Sequence, residues 1–401
     1  MKNIMKKIVL VLIISILLIS CSEEVYDNSG YLEDYDYLWT SLEESYPYFG
    51  VLERLGIDWE GVKEDYRETI STTYMDHLLF SNLLDQMLDE FRGNGHLNVI
   101  SRDFYHMGRY VYSDVEMTEW VSKLEIPRSE VFYNYDENHF DENASFENGN
   151  IESELFEDEG IAYINVKSFR YENIELEQGI LFDVYEQIGS YDDLIIDIRE
   201  NRGGSTRYFS RNIVEPLINE PLYIEEYMLY SENEYNKPFV ESAIEKIKTT
   251  NDSELSQRYG EILALDQLPE FEMINESDVS NLNRVIKLST QFIPSNEFEF
   301  DGRIWLLIGD RVYSASDAFA QMCEQTGFAT LVGHPTGGDG VGLDPILISL
   351  PETGIVIRFS THYGLNLNGQ NNEEFGTSPD ILLDYDDSAY EKVLELIRED
   401  K

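Results

Sequence analysis

Basic residues are scarce: 29 Lys and Arg face 78 Asp and Glu, for a formal net charge of −49. No basic block follows the first seven residues, so the Lys/Arg stripe needed to neutralise phosphates is missing and nucleic acid is excluded as a partner. Two cysteines in 401 residues rule out a disulfide-stapled scaffold. There is no HExxH, no paired CxxC, no Walker lysine loop and no GxGxxG between a strand and a helix, so neither a metal nor a nucleotide cofactor is expected. Among long apolar runs only residues 8–20 stand out, and thirteen residues fall short of the roughly 18 that a membrane-spanning helix needs. What the chain does have is apolar bulk. Hydrophobic residues make up 42% and aromatics 13%, with 27 Tyr and 20 Phe, enough to offset ordering entropy and exclude intrinsic disorder. The length fits two domains, or one enlarged domain with a helical appendage.

Lys2, Lys6 and Lys7 precede the run Ile8–Ser20, whose only polar residues are Ser15 and Ser20; this is the charged and apolar order of an export signal. Leu18-Ile19-Ser20-Cys21 resembles a bacterial lipoprotein signal, which implies that residues 1–20 are removed and that Cys21 carries the lipid. Removal takes away three lysines and no acid, leaving the mature chain at −52 with Cys323 as its one remaining thiol. Localisation in the bacterial cell envelope, anchored at Cys21, is the expectation. Residues 21–30 would be a tether.

From Tyr31 to Ile100 the spacing is helical: Leu38, Leu42 and Tyr46 lie four apart, as do Leu79, Leu83, Met87 and Phe91. An N-terminal helical subdomain over 31–100 follows. Residues 101–160 read as an acidic connecting or insertion segment. The pattern then becomes α/β over 161–401: strand Ile161–Val166, helix Ile174–Ile188, buried strand Leu194–Ile198, strand Ile304–Ile308 and a helix from near Ser314. Residues 238–265 look helical, within a helical insertion over about 230–300. Ile346–Leu350 and Gly354–Phe359 read as an antiparallel pair joined at Pro351-Glu352-Thr353-Gly354.

Chemistry can sit at few places. Ser314 lies between an apolar strand and a helix, where a hydroxyl meets free amide N–H groups, a setting for a nucleophile beside an oxyanion hole. Ser314 and Asp317 also have the three-residue spacing of a capping box, and spacing alone favours that reading. Gly203-Gly204 after a buried strand either lets backbone N–H groups approach a reacting carbonyl or only makes a turn. His96 sits in a Gly-flanked turn. Gly337-Gly338-Asp339-Gly340 carries no lysine and reads as a tight turn rather than a phosphate cradle.

Taken in order, GNGHL at 93–97, IIDIRENRGGS at 195–205, SASD at 314–317, TLVGHPTGG at 330–338 and EEFGTSPD at 373–380 resemble the serine peptidases related to tail-specific (C-terminal processing) proteases and the tricorn core. LWTSLEESYPYF followed by GIDW resembles their tricorn-like, retinoid-binding-protein-like branch. The resemblance spans most of residues 31–385. It implies a crotonase/ClpP-like α/β core with an N-terminal helical bundle; residues 101–155 show no PDZ-like carboxylate-binding loop. It further implies Ser314 as nucleophile, with Ala315, Gly203 and Gly204 as the oxyanion hole. The tail-specific lysine position holds Asp339, so a Ser/Lys dyad is excluded unless another lysine reaches in. The tricorn-like histidine matches His96 and its glutamate matches Glu373, while the serine expected beside the histidine is Gly95. On this reading Glu373 orients His96 directly or through water, the ionisation of His96 falls near or above the usual imidazole value, and Asp339→Asn is tolerated.

The expected function is an exported, lipid-anchored serine endopeptidase that cleaves peptides or unfolded protein. The alternative is a catalytically inactive peptide- or ligand-binding lipoprotein on the same scaffold. Cys21 supplies the first test: cells expressing the full gene should incorporate labelled palmitate into the protein, and Cys21→Ala should abolish it. Equal incorporation would reject the anchor.

Overall fold

A strand that is apolar at successive positions needs cover on both faces. The computed structural model describes residues 26–135, 149–250 and 255–400. The export segment, Cys21 and part of the acidic stretch before residue 149 lie outside the described residues. At the centre is a six-stranded sheet: β1 (Ile151–Phe156), β2 (Ile161–Val166), β3 (Asp193–Asp197), β4 (Arg303–Ile308), β5 (Thr330–Gly333) and β6 (Ile381–Leu382), in the spatial order β6-β5-β4-β3-β2-β1. The strands β2 to β6 are parallel to their neighbours, and β1 is an antiparallel edge. Alternate side chains divide between two cores. Leu194 and Ile196 of β3, with Ile304, Leu306 and Ile308 of β4, join the larger one, while Ile195, Trp305 and Leu307 face the smaller. Helix Ile174–Ile188 and helix Ala315–Thr326 cover the first face, and the C-terminal helix Ala389–Glu399 covers the second. Each fully buried Leu, Ile or Phe contributes about 1.5–3 kcal/mol, which explains why these runs persist in so acidic a chain.

Two expectations are corrected. The region 230–300 is not simply a helical insertion. Helix Lys237–Thr250 is present, but Gln257–Ala264 and Arg284–Phe292 are strands that join Leu222–Tyr230 and Tyr363–Leu365 in a separate antiparallel sheet. No residue of the edge strand Gln257–Ala264 is buried, so its own apolar pattern is faint and its register comes from the neighbouring strand. The second correction concerns residues 101–160. Helices Arg102–Asp114, Thr118–Leu124 and Pro127–Phe132 extend the N-terminal bundle past residue 100. Tyr105, Tyr112, Trp120 and Leu124 bury at helical spacing.

Several bonds fasten the bundle to the rest of the chain. The buried carboxylate of Asp34, in helix Ser29–Ser45, accepts from Glu352 N at 2.7 Å, Thr353 N at 2.8 Å and Thr353 Oγ1 at 2.6 Å. The short strand Asn98–Val99 adds to the hairpin Ile346–Ser349 and Val356–Phe359, pairing Asn98 with Arg358. Ser360 N donates to Gly95 O at 2.7 Å. These bonds hold the His96 turn over the carboxyl ends of the parallel strands, where a doubly covered sheet leaves its crevice.

Candidate active site

The turn after β4 delivers Ser314 to the start of helix Ala315–Thr326 with φ 57° and ψ −128°. A non-glycine residue in that region is strained, and such strain concentrates at functional sites. The capping-box reading is corrected here: the Ser314 side chain makes no cap hydrogen bond. The Asp317 carboxylate turns inward, accepting from Thr336 Oγ1, from Thr377 Oγ1 at 2.6 Å, from Asn372 Nδ2 at 2.9 Å and from Gly340 N at 3.0 Å. The Ser314 hydroxyl is therefore left to the cavity that it lines with His96, Asp339, Gly203, Gly204 and Ala315.

His96 and Asp339 are in direct contact through Nδ1 and Oδ2. Both residues have φ of 55°, so two further non-glycine positions at this site sit in the left-handed region. Asp tolerates that conformation better than most residues. With Nδ1 against the carboxylate, Nε2 is the nitrogen left to accept a proton. Glu373 does something else than expected: its Oε1 accepts from Gly95 N at 2.8 Å, and both its oxygens accept from Tyr313 Oη, at 3.1 and 3.2 Å. Tyr313 Oη also lies 3.4 Å from Asp339 Oδ2, and its ring is 5.0 Å from that of His96. The residue oriented against His96 is thus Asp339, and Glu373 acts at one remove. Glycine at 95 is explained by space. A Cβ there would meet Tyr48 Cε2 at 2.5 Å at a φ of +59°, which leaves no room for a serine, so the amide of residue 95 receives Glu373 directly.

Burial raises the Glu373 carboxyl well above the usual carboxylate range, and the neighbouring Asp339 charge raises it further. His96 moves the other way. Burial lowers its pKa, the Arg358 guanidinium lowers it further, and Asp339 opposes both. The expectation of a value at or above the usual one is corrected by these first two causes.

The two glycines differ. Gly203 N donates to Asn201 Oδ1 at 2.9 Å and is already satisfied. Gly204 bridges Phe169 in parallel, and the bonds of that bridge are made by Gly203 O and Ser205 N, which turns the Gly204 N–H out of it. Ala315 N, in the first turn of its helix, has no intrahelical acceptor. The available pair of amides is therefore Gly204 and Ala315. Asn201 fixes this corner: its Oδ1 also accepts from Ser316 Oγ at 2.6 Å, and its Nδ2 donates to Val166 O at 3.1 Å. The two lysines that line the cavity, Lys167 and Lys246, are paired with Glu152 and Glu116. The cavity itself measures about 1560 Å³ and runs between the helical bundle, the second sheet and the core.

The model of peptidase family S41 matches residues 160–383, more than half of the sequence. The chain belongs to peptidase family S41. Among solved structures, a protein from Parabacteroides merdae ATCC 43184 superposes with TM-score 0.54 at 21% identity, covering 91% of this chain and 96% of its own. Mature CPAF superposes with TM-score 0.54 at 13% identity, covering 92% and 96%. At such identities the likeness is one of fold. No curated protein sequence matches the chain. An S41 fold agrees with the mixed sheet and helical N-terminal region described above, and a hydrolase of peptide bonds is the activity of the family.

Ser314, His96, Ala315, Gly203 and Gly204, all singled out from the sequence, line one cavity, and Glu373 does not; the contact of Asp339 with His96, the parts of Tyr313 and Asn201, and the inward turn of Asp317 were not foreseen. An aspartate inside a Gly-Gly-Asp-Gly turn was a usable signal, because that turn asks for left-handed backbone. Two predictions follow from the geometry. Asp317→Ala strands four buried donors and should lower the unfolding free energy by about 3 kcal/mol or more, read by urea denaturation. Gly204→Val should destabilise the fold as well as the site, read by thermal denaturation, because a Cβ would meet Phe169 O at 2.1 Å.

Proposed function

We propose that this S41 chain is an exported, lipid-anchored serine endopeptidase of the bacterial cell envelope, cleaving peptides or unfolded protein through an acyl-enzyme. The observation that carries the reading is an uncapped, strained Ser314 sharing a cavity with a histidine that is in contact with an aspartate. Ser314 Oγ attacks the scissile carbonyl carbon while His96 Nε2 takes its proton. The carbonyl oxygen becomes an oxyanion and is received by the Ala315 and Gly204 N–H groups; one such donor is worth about 2.7–4 kcal/mol in comparable sites. Collapse expels the amine, which takes the proton from His96. Water, deprotonated by His96, then releases the acyl group and restores Ser314. Asp339 holds the imidazole in the required tautomer and balances its charge. Glu373, whose neutral form is favoured by burial and by the Asp339 charge, braces the 95–96 turn and Tyr313.

A fluorophosphonate probe tests the nucleophile. The wild type should be labelled, Ser314→Ala should not, and His96→Ala should label poorly while remaining folded by circular dichroism. A folded wild type that resists the probe would favour the peptide-binding alternative. His96→Ala labelling at the wild-type rate would point to another base.

The roles of the two carboxylates separate by pH and by substitution. Neutral His96 is the working base, so turnover falls as pH drops through its folded pKa. That pKa is depressed, so the acid limb should lie below the ordinary value of about 6.5. Asp339→Asn removes the group that favours imidazolium: the limb should move lower still, with kcat falling about 100-fold or more. Glu373→Gln, an isostere of the neutral acid, should keep most of the turnover. The opposite ranking of these two variants would return Glu373 to the role of His96's partner.

A further inference from the structure

The cavity departs from the charge of the rest of the chain. Seven of the 29 Lys and Arg line it, against eight of the 78 Asp and Glu, so its wall is nearly balanced where the whole chain is strongly acidic. Several of those acids are already engaged: Glu226 with Arg258 at 3.5 Å, Glu116 with Lys246 at 3.2 Å, Glu200 with Arg311, and Asp339 with His96.

Arg358 is placed differently. Strand pairing sets it opposite Asn98, two residues beyond His96, and its guanidinium lies 5.2 Å from the ring of Phe104. No carboxylate forms an ion pair with it among the described residues, and its Nε is buried without an acceptor. Asp344 acts on it through space. Phe104, Met107 and Val111 supply an apolar wall on the same side of the cavity. A guanidinium backed by an aromatic ring, open to a cleft and beside the reacting histidine, is a fork for a carboxylate.

We propose that the cleft selects peptides that bring a carboxylate next to the scissile bond, and that Arg358 receives it. This rests on the peptidase reading of the same site. The selection is local. The acidic exterior repels such peptides at long range, so the preference must be read at about 0.15 M salt, where the Debye length of about 8 Å screens the exterior more than the cleft. The carboxylate has two sources, an Asp or Glu side chain or the peptide's own C-terminus.

Fluorogenic peptides distinguish them. One arm compares Glu with Gln at each position around the cleaved bond in C-terminally amidated peptides, and the other compares a free C-terminus with its amide. Either arm should show a kcat/KM ratio of about tenfold or more in favour of the carboxylate, and Arg358→Gln should bring that ratio close to one. Should Arg358→Gln fail to fold, Arg358→Lys is read in its place: a ratio at least about threefold below wild type supports the fork, and an unchanged ratio overturns it. Ratios near one in both arms of the wild type also overturn it. Binding of the same peptides to Ser314→Ala, by fluorescence anisotropy, separates this inference from the peptidase reading. Carboxylate-selective binding without any cleavage by the wild type would keep Arg358 and reject the peptidase. Cleavage without selectivity would do the reverse.

Discussion

One buried carboxylate with no cation beside it holds this site together. Asp317 is fully buried, and burying a charge costs several kcal/mol unless donors replace its water. Its donors come from two separate loops: Thr336 and Gly340 in the loop that carries Asp339, and Asn372 and Thr377 in the loop that carries Glu373. Asp317 itself sits one turn into the helix that begins at Ser314. Each loop is thereby registered against the nucleophile through a single residue, and the positions of Asp339 and Glu373 are consequences of that residue's need for donors.

The second constraint is electrostatic. Asp339 and Glu373 approach the same tyrosine hydroxyl, and two charged carboxylates so close in a buried place would be costly. Burial and the Asp339 charge push the Glu373 carboxyl well above the usual carboxylate range, which favours its neutral form and eases the repulsion. Arg358 on the other side discourages imidazolium in the resting state. The base is thereby kept neutral and able to accept a proton.

Much of the architecture was legible because it follows from periodicity. The strands Ile161–Val166 and Arg303–Ile308 and the helix Ile174–Ile188 carry apolar patterns that only one secondary structure can bury. The second sheet was harder. Leu222–Tyr230 and Arg284–Phe292 alternate only in part, and their edge partner Gln257–Ala264 has no fully buried residue and forms because an adjacent strand offers it hydrogen bonds. Helices Arg102–Asp114 and Thr118–Leu124 were obscured by being read together with the acid-rich stretch that follows them, although they carry as many bases as acids themselves and their tyrosines, tryptophan and leucine already stood at helical spacing.

The sequence by itself determined the class of the molecule and the chemical types at its centre: a serine at a strand-to-helix turn, a histidine at the end of a Gly-Asn-Gly turn, and a glycine pair after a buried strand. These are local statements, set by backbone conformation and near neighbours. Tertiary structure alone decided which acid meets the histidine, since Asp339 and Glu373 are separated from His96 by more than two hundred residues and either could have reached it. It also decided that Gly95 cannot be serine, because the obstructing ring belongs to Tyr48, and that Gly204 rather than Gly203 keeps its amide free, because Asn201 turns back on the latter. In each case the deciding contact joins residues from different elements, and no pattern along the chain encodes the distance between them.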